Sequence, residues 1–206
     1  MTTYDLSHLT QPADQAVMGP IQDDEALFLY SIIRGMRLKR ILEVGGLSGY
    51  SAANFLKALQ GEGRVYTVDI HELSPLADNH KVVVKNALDL THNDLDDEAV
   101  DLLFFDCHDY NVQMSLFVKL QEQQIINDST VLALHDTNLH PQQFVSWAYP
   151  VEGGYVHVAV ERRMVNDFKR MGYDIFSLHT KLQVHDKEFP YRHGVTICQK
   201  FRPMVV

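Results

Sequence analysis

The chain has 206 residues, enough for one α/β domain with a sizeable core and too few for two of ordinary size. Hydrophobic residues make up 46% and charged residues 22%, and a formal net charge of −9 without a basic run argues against nucleic acid or an anionic membrane as the main partner. Cys107 and Cys198 suggest no disulfide framework, the opening MTTYDLSHLTQPADQ lacks a signal-peptide core, and no apolar run nears membrane-spanning length, so a reducing, cytoplasmic setting is the expectation.

Residues 1–20 read as an irregular arm broken by Pro12 and Pro20. Asp23 and Asp24 then open an amphipathic helix, EALFLYSIIRGM. Arg40 to Val44 is a short buried strand that stops at paired glycines, and Tyr50 to Leu59 has helical apolar spacing. Between them lie Gly45, Gly46, Leu47, Ser48 and Gly49. Such a turn permits positive φ and close approach by a ligand, with unpaired helix N–H groups behind it. Arg64 to Ile70 is the second strand, and Asp69 follows Gly45 by 69 − 45 = 24 positions, where a ribose diol would be gripped.

Lys81 to Lys85 gives a third strand, Leu90 to Val100 a short helix with turns, and Asp101 to Phe105 a fourth strand ending in DCHDYN. Tyr110 to Gln124 suits a helix, and Thr130 to Leu134 is a fifth strand delivering HDTN. Residues 137–157 break the rhythm with Phe144, Trp147, Tyr149, Pro150, Gly153, Gly154 and Tyr155, as a substrate lid or a packed surface loop would. A helix over Val158 to Met171 and strands at Tyr173 to Leu178 and Gly194 to Phe201 complete the pattern. Strand-then-helix alternation predicts a mostly parallel sheet with helices on both faces, in one domain.

The loop EVGGLSGYS, Glu43 to Ser51, resembles the E-x-G-x-x-x-G-Y-S loop of the class I S-adenosylmethionine-dependent methyltransferases, within them the small catechol and caffeoyl-CoA O-methyltransferase type. The resemblance continues through the preceding helix, Asp69, VDLLFFDCHDY and TVLALHDTN, most of residues 18–138. It implies a doubly wound, Rossmann-like sheet of order 3-2-1-4-5-7-6. It also implies S-adenosylmethionine as cofactor, with Glu43 at the methionine amino group, Gly45, Gly46 and Gly49 beside the cofactor backbone, and Ser51 at the carboxylate. Asp69 would hold the ribose, Asn86 and Ala87 would lie near adenine, and Asp106 would lie under the sulfonium. The partner so implied is a small-molecule or sugar hydroxyl; a homodimer is one assembly compatible with this reading.

Methyl transfer is an in-line displacement in which positioning supplies much of the acceleration, and a divalent metal, Mg or Mn, would lower the hydroxyl's pKa. Asp106, His135 and Asp136 are the expected ligands. The related metal-dependent enzymes have Asp-Asn where this chain has His135-Asp136, and a lysine base where it has Asp109. His108 is the alternative base, with Asp106, in the expected catalytic set. Plainer roles stand beside these: Asp106 and Asp136 as turn caps, His135 bonded to backbone, His108 as a loop histidine, Cys107 as a small buried hydrophobe. A nicotinamide-dependent oxidoreductase shares a glycine turn followed by an acid, though G-G-x-x-G departs from G-x-G-x-x-G. A non-catalytic binding module on the same fold is the third reading.

Overall fold

A computed structural model describes residues 21, 23–138, 146–178 and 194–200. The expected N-terminal arm, the start of the lid at 139–145 and the polar loop at 179–193 lie outside the described residues, as do the side chains of Trp147 and Tyr149. The elements, in chain order, are α1 Asp23–Met36, β1 Arg40–Val44, α2 Tyr50–Leu59, β2 Arg64–Asp69, β3 His80–Val84, β4 Leu102–Phe105, α3 Tyr110–Glu122, β5 Val131–Leu134, β6 Ser146–Val151, β7 Gly154–Ala159, α4 Val160–Arg170, β8 Tyr173–Leu178 and β9 Val195–Lys200.

Seven strands form one sheet of order β3-β2-β1-β4-β5-β9-β8, which is the expected 3-2-1-4-5-7-6 once the intervening hairpin is set aside. The first five strands pair in parallel, while β9 inserts antiparallel between β5 and β8. An antiparallel insertion departs from the 3-2-1-4-5-6 order of dinucleotide-binding sheets.

Alternation along the strands divides the core. Ile41, Val65, Leu102, Phe104, Val131 and Ala133 face α1 and α2, whereas Leu42, Val44, Leu103, Phe105, Leu132 and Leu134 pack with Leu116, Phe117, Met164 and Phe168 of α3 and α4. The same parity carries Glu43 and Asp106 onto the α1/α2 side, and His135 with them. Cys107 and Cys198 are free; burial pushes both thiols up to about 12, as suits small core residues.

Three expectations are refined. The segment expected as a substrate lid or a packed surface loop contains an antiparallel hairpin, β6 with β7, in which Tyr149 pairs with Val156 and Gly153 turns at φ 90°. Its aromatic and β-branched residues suit strands as well as a lid. The following helix begins at Val160 rather than Val158, because Val158 and Ala159 belong to β7. The short helix with turns expected over Leu90 to Val100 is a 3-10 helix, His92–Leu95, held by a capping box between Thr91 and Asp94.

Candidate active site

The glycine turn closes tightly on its neighbours. Gly45 has φ 94°, and a Cβ there would meet the Asp106 carbonyl oxygen at 2.5 Å, so only glycine lets the ends of β1 and β4 lie this close. Gly49, at φ 75°, precedes α2 and has no side chain to cap it. The N-cap position therefore supplies no side-chain hydrogen bond to the first turn of that helix.

Glu43 is fully buried, its carboxylate accepting from the Ser51 hydroxyl and, at 2.6 Å, from Thr67 Oγ1. Burial pushes its carboxyl up to about 7 against the pull of those two hydroxyls. Asp69 turns inward: Oδ2 accepts from the amides of Gly46 at 2.8 Å and Leu47 at 3.1 Å, and Oδ1 from that of His71 at 2.9 Å. Burial opposes ionisation, but the three amides outweigh it and hold the carboxyl below its usual range. The Gly46 and Leu47 amides of the turn are thus engaged by Asp69. Asn86 is exposed and its side-chain oxygen accepts the Leu88 N–H at 2.9 Å, while Ala87 is buried beside it.

Asp106, His108 and Asp136 converge at the ends of β4 and β5. One ligand atom from each lies within 4.8 Å of the others, and two carboxylates with an imidazole fit a divalent ion. His108 and Asp136 both have positive φ, 53° and 52°, strain that non-glycine residues hold where the surroundings fix them. Burial pushes the Asp106 carboxyl above its usual range, and Asp136 adds to this, against the pull of His135 and His108.

His135 stands beside this group rather than in it. Its Nδ1 lies 3.1 Å from Asp106 Oδ1 and its Nε2 3.3 Å from Glu25 Oε2, so both ring nitrogens the expected metal role would use are engaged by carboxylates. Burial alone would lower its pKa; Asp136, Asp106 and Glu25 outweigh that and hold the ring well above its ordinary value. His108, expected as the base, supplies the imidazole of this group, with Nε2 3.6 Å from Asp106 and 3.4 Å from Asp136. Its Nδ1 lies 3.1 Å from Glu161 Oε1. Burial lowers His108, yet the Glu161, Asp106 and Asp136 carboxylates raise it to about 9.

Sequence reasoning missed Glu25 and Glu161, both buried, each reaching a site histidine from a helix distant in the chain. Strand parity places His135 on the face of α1, so an acid in the first turn of α1 was a readable partner; no local signal marks Glu161. Asp109, where the resemblance implied a lysine, is the N-cap of α3 and accepts from the Asn111 and Val112 amides at 2.9 and 3.0 Å.

Residues 42–137, just under half of the chain, match a family described as a methyltransferase domain. No curated protein matches the sequence. The fold is similar to that of an O-methyltransferase from Bacillus cereus in complex with SAH, at 19% identity and TM-score 0.61, over 89% of this chain and 83% of that one. It is similar to a candidate caffeoyl-CoA O-methyltransferase from Staphylococcus aureus, at 18% identity and TM-score 0.60, over 88% and 86%. It also resembles the O-methyltransferase TomG from Streptomyces achromogenes, involved in tomaymycin synthesis and in complex with SAM, at 18% identity and TM-score 0.56, over 97% and 92%. The family match thus runs from within β1 to just past β5, and the strand order is the one that the resemblance implied.

Proposed function

We propose that the protein transfers the methyl group of S-adenosylmethionine to a hydroxyl oxygen of a small molecule or sugar. The observation that carries this reading is the pairing of Glu43 and Asp69 on either side of one glycine turn, at the carboxyl ends of adjacent strands, with the Asp106 group next to them.

Glu43 binds the donor's ammonium, and Ser51 with the start of α2 binds its carboxylate. Asp69 holds the ribose through acceptor capacity left beyond its three amides, and Ala87 and Asn86 border the adenine. Asp106 lies beneath the sulfonium. The acceptor oxygen attacks the methyl carbon in line, the carbon–sulfur bond breaks with its electrons going to sulfur, and the acceptor's proton leaves. His108 Nε2 faces the space among Asp106 and Asp136, so it takes that proton or a place in the ligand set of a divalent ion. Asp106, His108 and Asp136 are the residues that would hold such an ion, which would lower the hydroxyl's pKa. Glu161 fixes the His108 ring from the opposite nitrogen.

Calorimetry with S-adenosylmethionine and S-adenosylhomocysteine, followed by methyl transfer to a panel of phenolic, catecholic and sugar hydroxyls, tests the reading. Binding with turnover on one class supports it. An absence of heat with either ligand overturns it, and binding with no turnover on any acceptor favours a binding module.

A further inference from the structure

A buried carboxylate normally has a cation or a set of hydrogen bonds to offset its desolvation. Among the described residues no Lys, Arg or His reaches ion-pair distance of Glu43, and the nearby charges, Asp106 from β4 and Asp69 from β2, are also negative. What meets Glu43 is a chain of donors. The Leu76 backbone N–H, which can only donate, lies 3.1 Å from His80 Nδ1. That nitrogen is therefore the bare, accepting one, and in the neutral ring the proton sits on Nε2. Nε2 lies 2.9 Å from Thr67 Oγ1, so it donates to the hydroxyl. The hydroxyl's own proton then goes to Glu43 Oε2.

We propose that Thr67 and His80 are positioning residues for donor binding: they form a one-way hydrogen-bond chain, from β3 through β2 to β1, that aims and sustains the Glu43 carboxylate for the donor's ammonium. The inference rests on the reading of Glu43 given above. His80 is buried, and burial lowers its pKa, which keeps the ring neutral as the direction of the chain requires. Ser51 approaches the other carboxylate oxygen from α2. Motif reading finds Glu43 and Ser51, which flank the glycines, but not Thr67 and His80, which sit on the next two strands.

The test is calorimetry on the full chain with two probes, S-adenosylhomocysteine and 5′-methylthioadenosine, which lacks the amino-acid end, between about pH 6 and pH 9. Thr67→Val keeps the branched shape and removes the donor. It is expected to weaken S-adenosylhomocysteine binding about tenfold near pH 7, with recovery toward pH 9 and no change for 5′-methylthioadenosine. Thr67→Ser should bind as wild type does. His80→Leu should behave as Thr67→Val, and His80→Gln, whose amide N–H can stand where Nε2 does, should fall between. An equal loss for both probes, or an unchanged affinity for S-adenosylhomocysteine, overturns the chain's role while leaving the donor site in place. Wild-type protein that binds neither probe overturns both.

Discussion

The two halves of the strand-end cleft offset their carboxylates by different means. Around β1 and β2, Glu43 and Asp69 are met by hydroxyls and backbone amides. Around β4 and β5, Asp106 and Asp136 interleave with His108 and His135, which lean in turn on Glu161 and Glu25. A dipole stabilises a negative charge without cancelling it, whereas an imidazolium cancels it and can give way to a metal ion or release its proton. The first half is thus suited to receiving a cation, and the second to holding and exchanging one.

The division breaks most visibly when charge is removed from the second half and donor binding is read in the first. Asp136→Asn is expected to lower methyl transfer by about 10²-fold or more, by disturbing the groups around the reacting oxygen. S-adenosylhomocysteine affinity, measured by calorimetry, should stay within about threefold, as expected for residues at different strand ends. A matched loss of donor binding would mean that the halves are one network. Glu43→Gln works from the other side. It should weaken S-adenosylhomocysteine by about 10- to 100-fold, the loss of a charge-assisted contact. The thermal shift produced by Mn²⁺ should be unchanged.

The same contrast explains how much was legible beforehand. The first half is nearly collinear: Glu43, Gly45, Gly49 and Ser51 lie within one strand-turn-helix, and Asp69 ends the next strand. Local patterns therefore bring these residues together as candidates, although they do not show that Asp69 turns onto the Gly46 and Leu47 amides. The second half is assembled from α1, β4, β5 and α4. His135 reads as a ligand from its place after β5 alone; only the packing of α1 against that face shows its second nitrogen engaged by Glu25. The hairpin from Ser146 to Ala159 is not marked in the sequence because its glycines and aromatics are common to loops and strands, and period-two alternation is weak around Pro150.

Titration separates the halves by pH. The Glu43 carboxyl sits at about 7 in the folded chain against 4.5 for a free group, so ligand-free protein holds an extra proton between those values and loses stability as pH rises from about 4.5 to about 7. His108 is raised from 6.5 to about 9; its contribution is complete below about pH 6.5 and disappears as pH rises through about 9. An ammonium beside Glu43 favours the ionised form, so S-adenosylhomocysteine should raise the thermal midpoint more at about pH 8 than at about pH 6. Mn²⁺ must displace the His108 proton, so its stabilisation should grow between about pH 7 and pH 9. Methyl transfer without added metal should rise over the same upper interval, because His108 accepts a proton only when neutral. Coincident windows for the two ligands would erase the distinction between the halves.

The smallest expected effect comes from the residue that stands where related enzymes have a base. Asp109 lies one position beyond His108, but its carboxylate points forward along the chain to the Asn111 and Val112 amides and starts α3. Asp109→Ala should therefore destabilise the fold by about 1 kcal/mol, as the loss of a helix cap does, and Asp109→Asn or Asp109→Ser should restore most of it. Methyl transfer below the unfolding range should stay within about twofold of wild type, with an unshifted pH profile, since side chains that act away from the reacting atoms rarely do more. If Asp109→Ala instead lowered turnover more than tenfold at unchanged donor affinity, the proton would have to leave through Asp109. The second half would then have to be redrawn around that carboxylate rather than around His108.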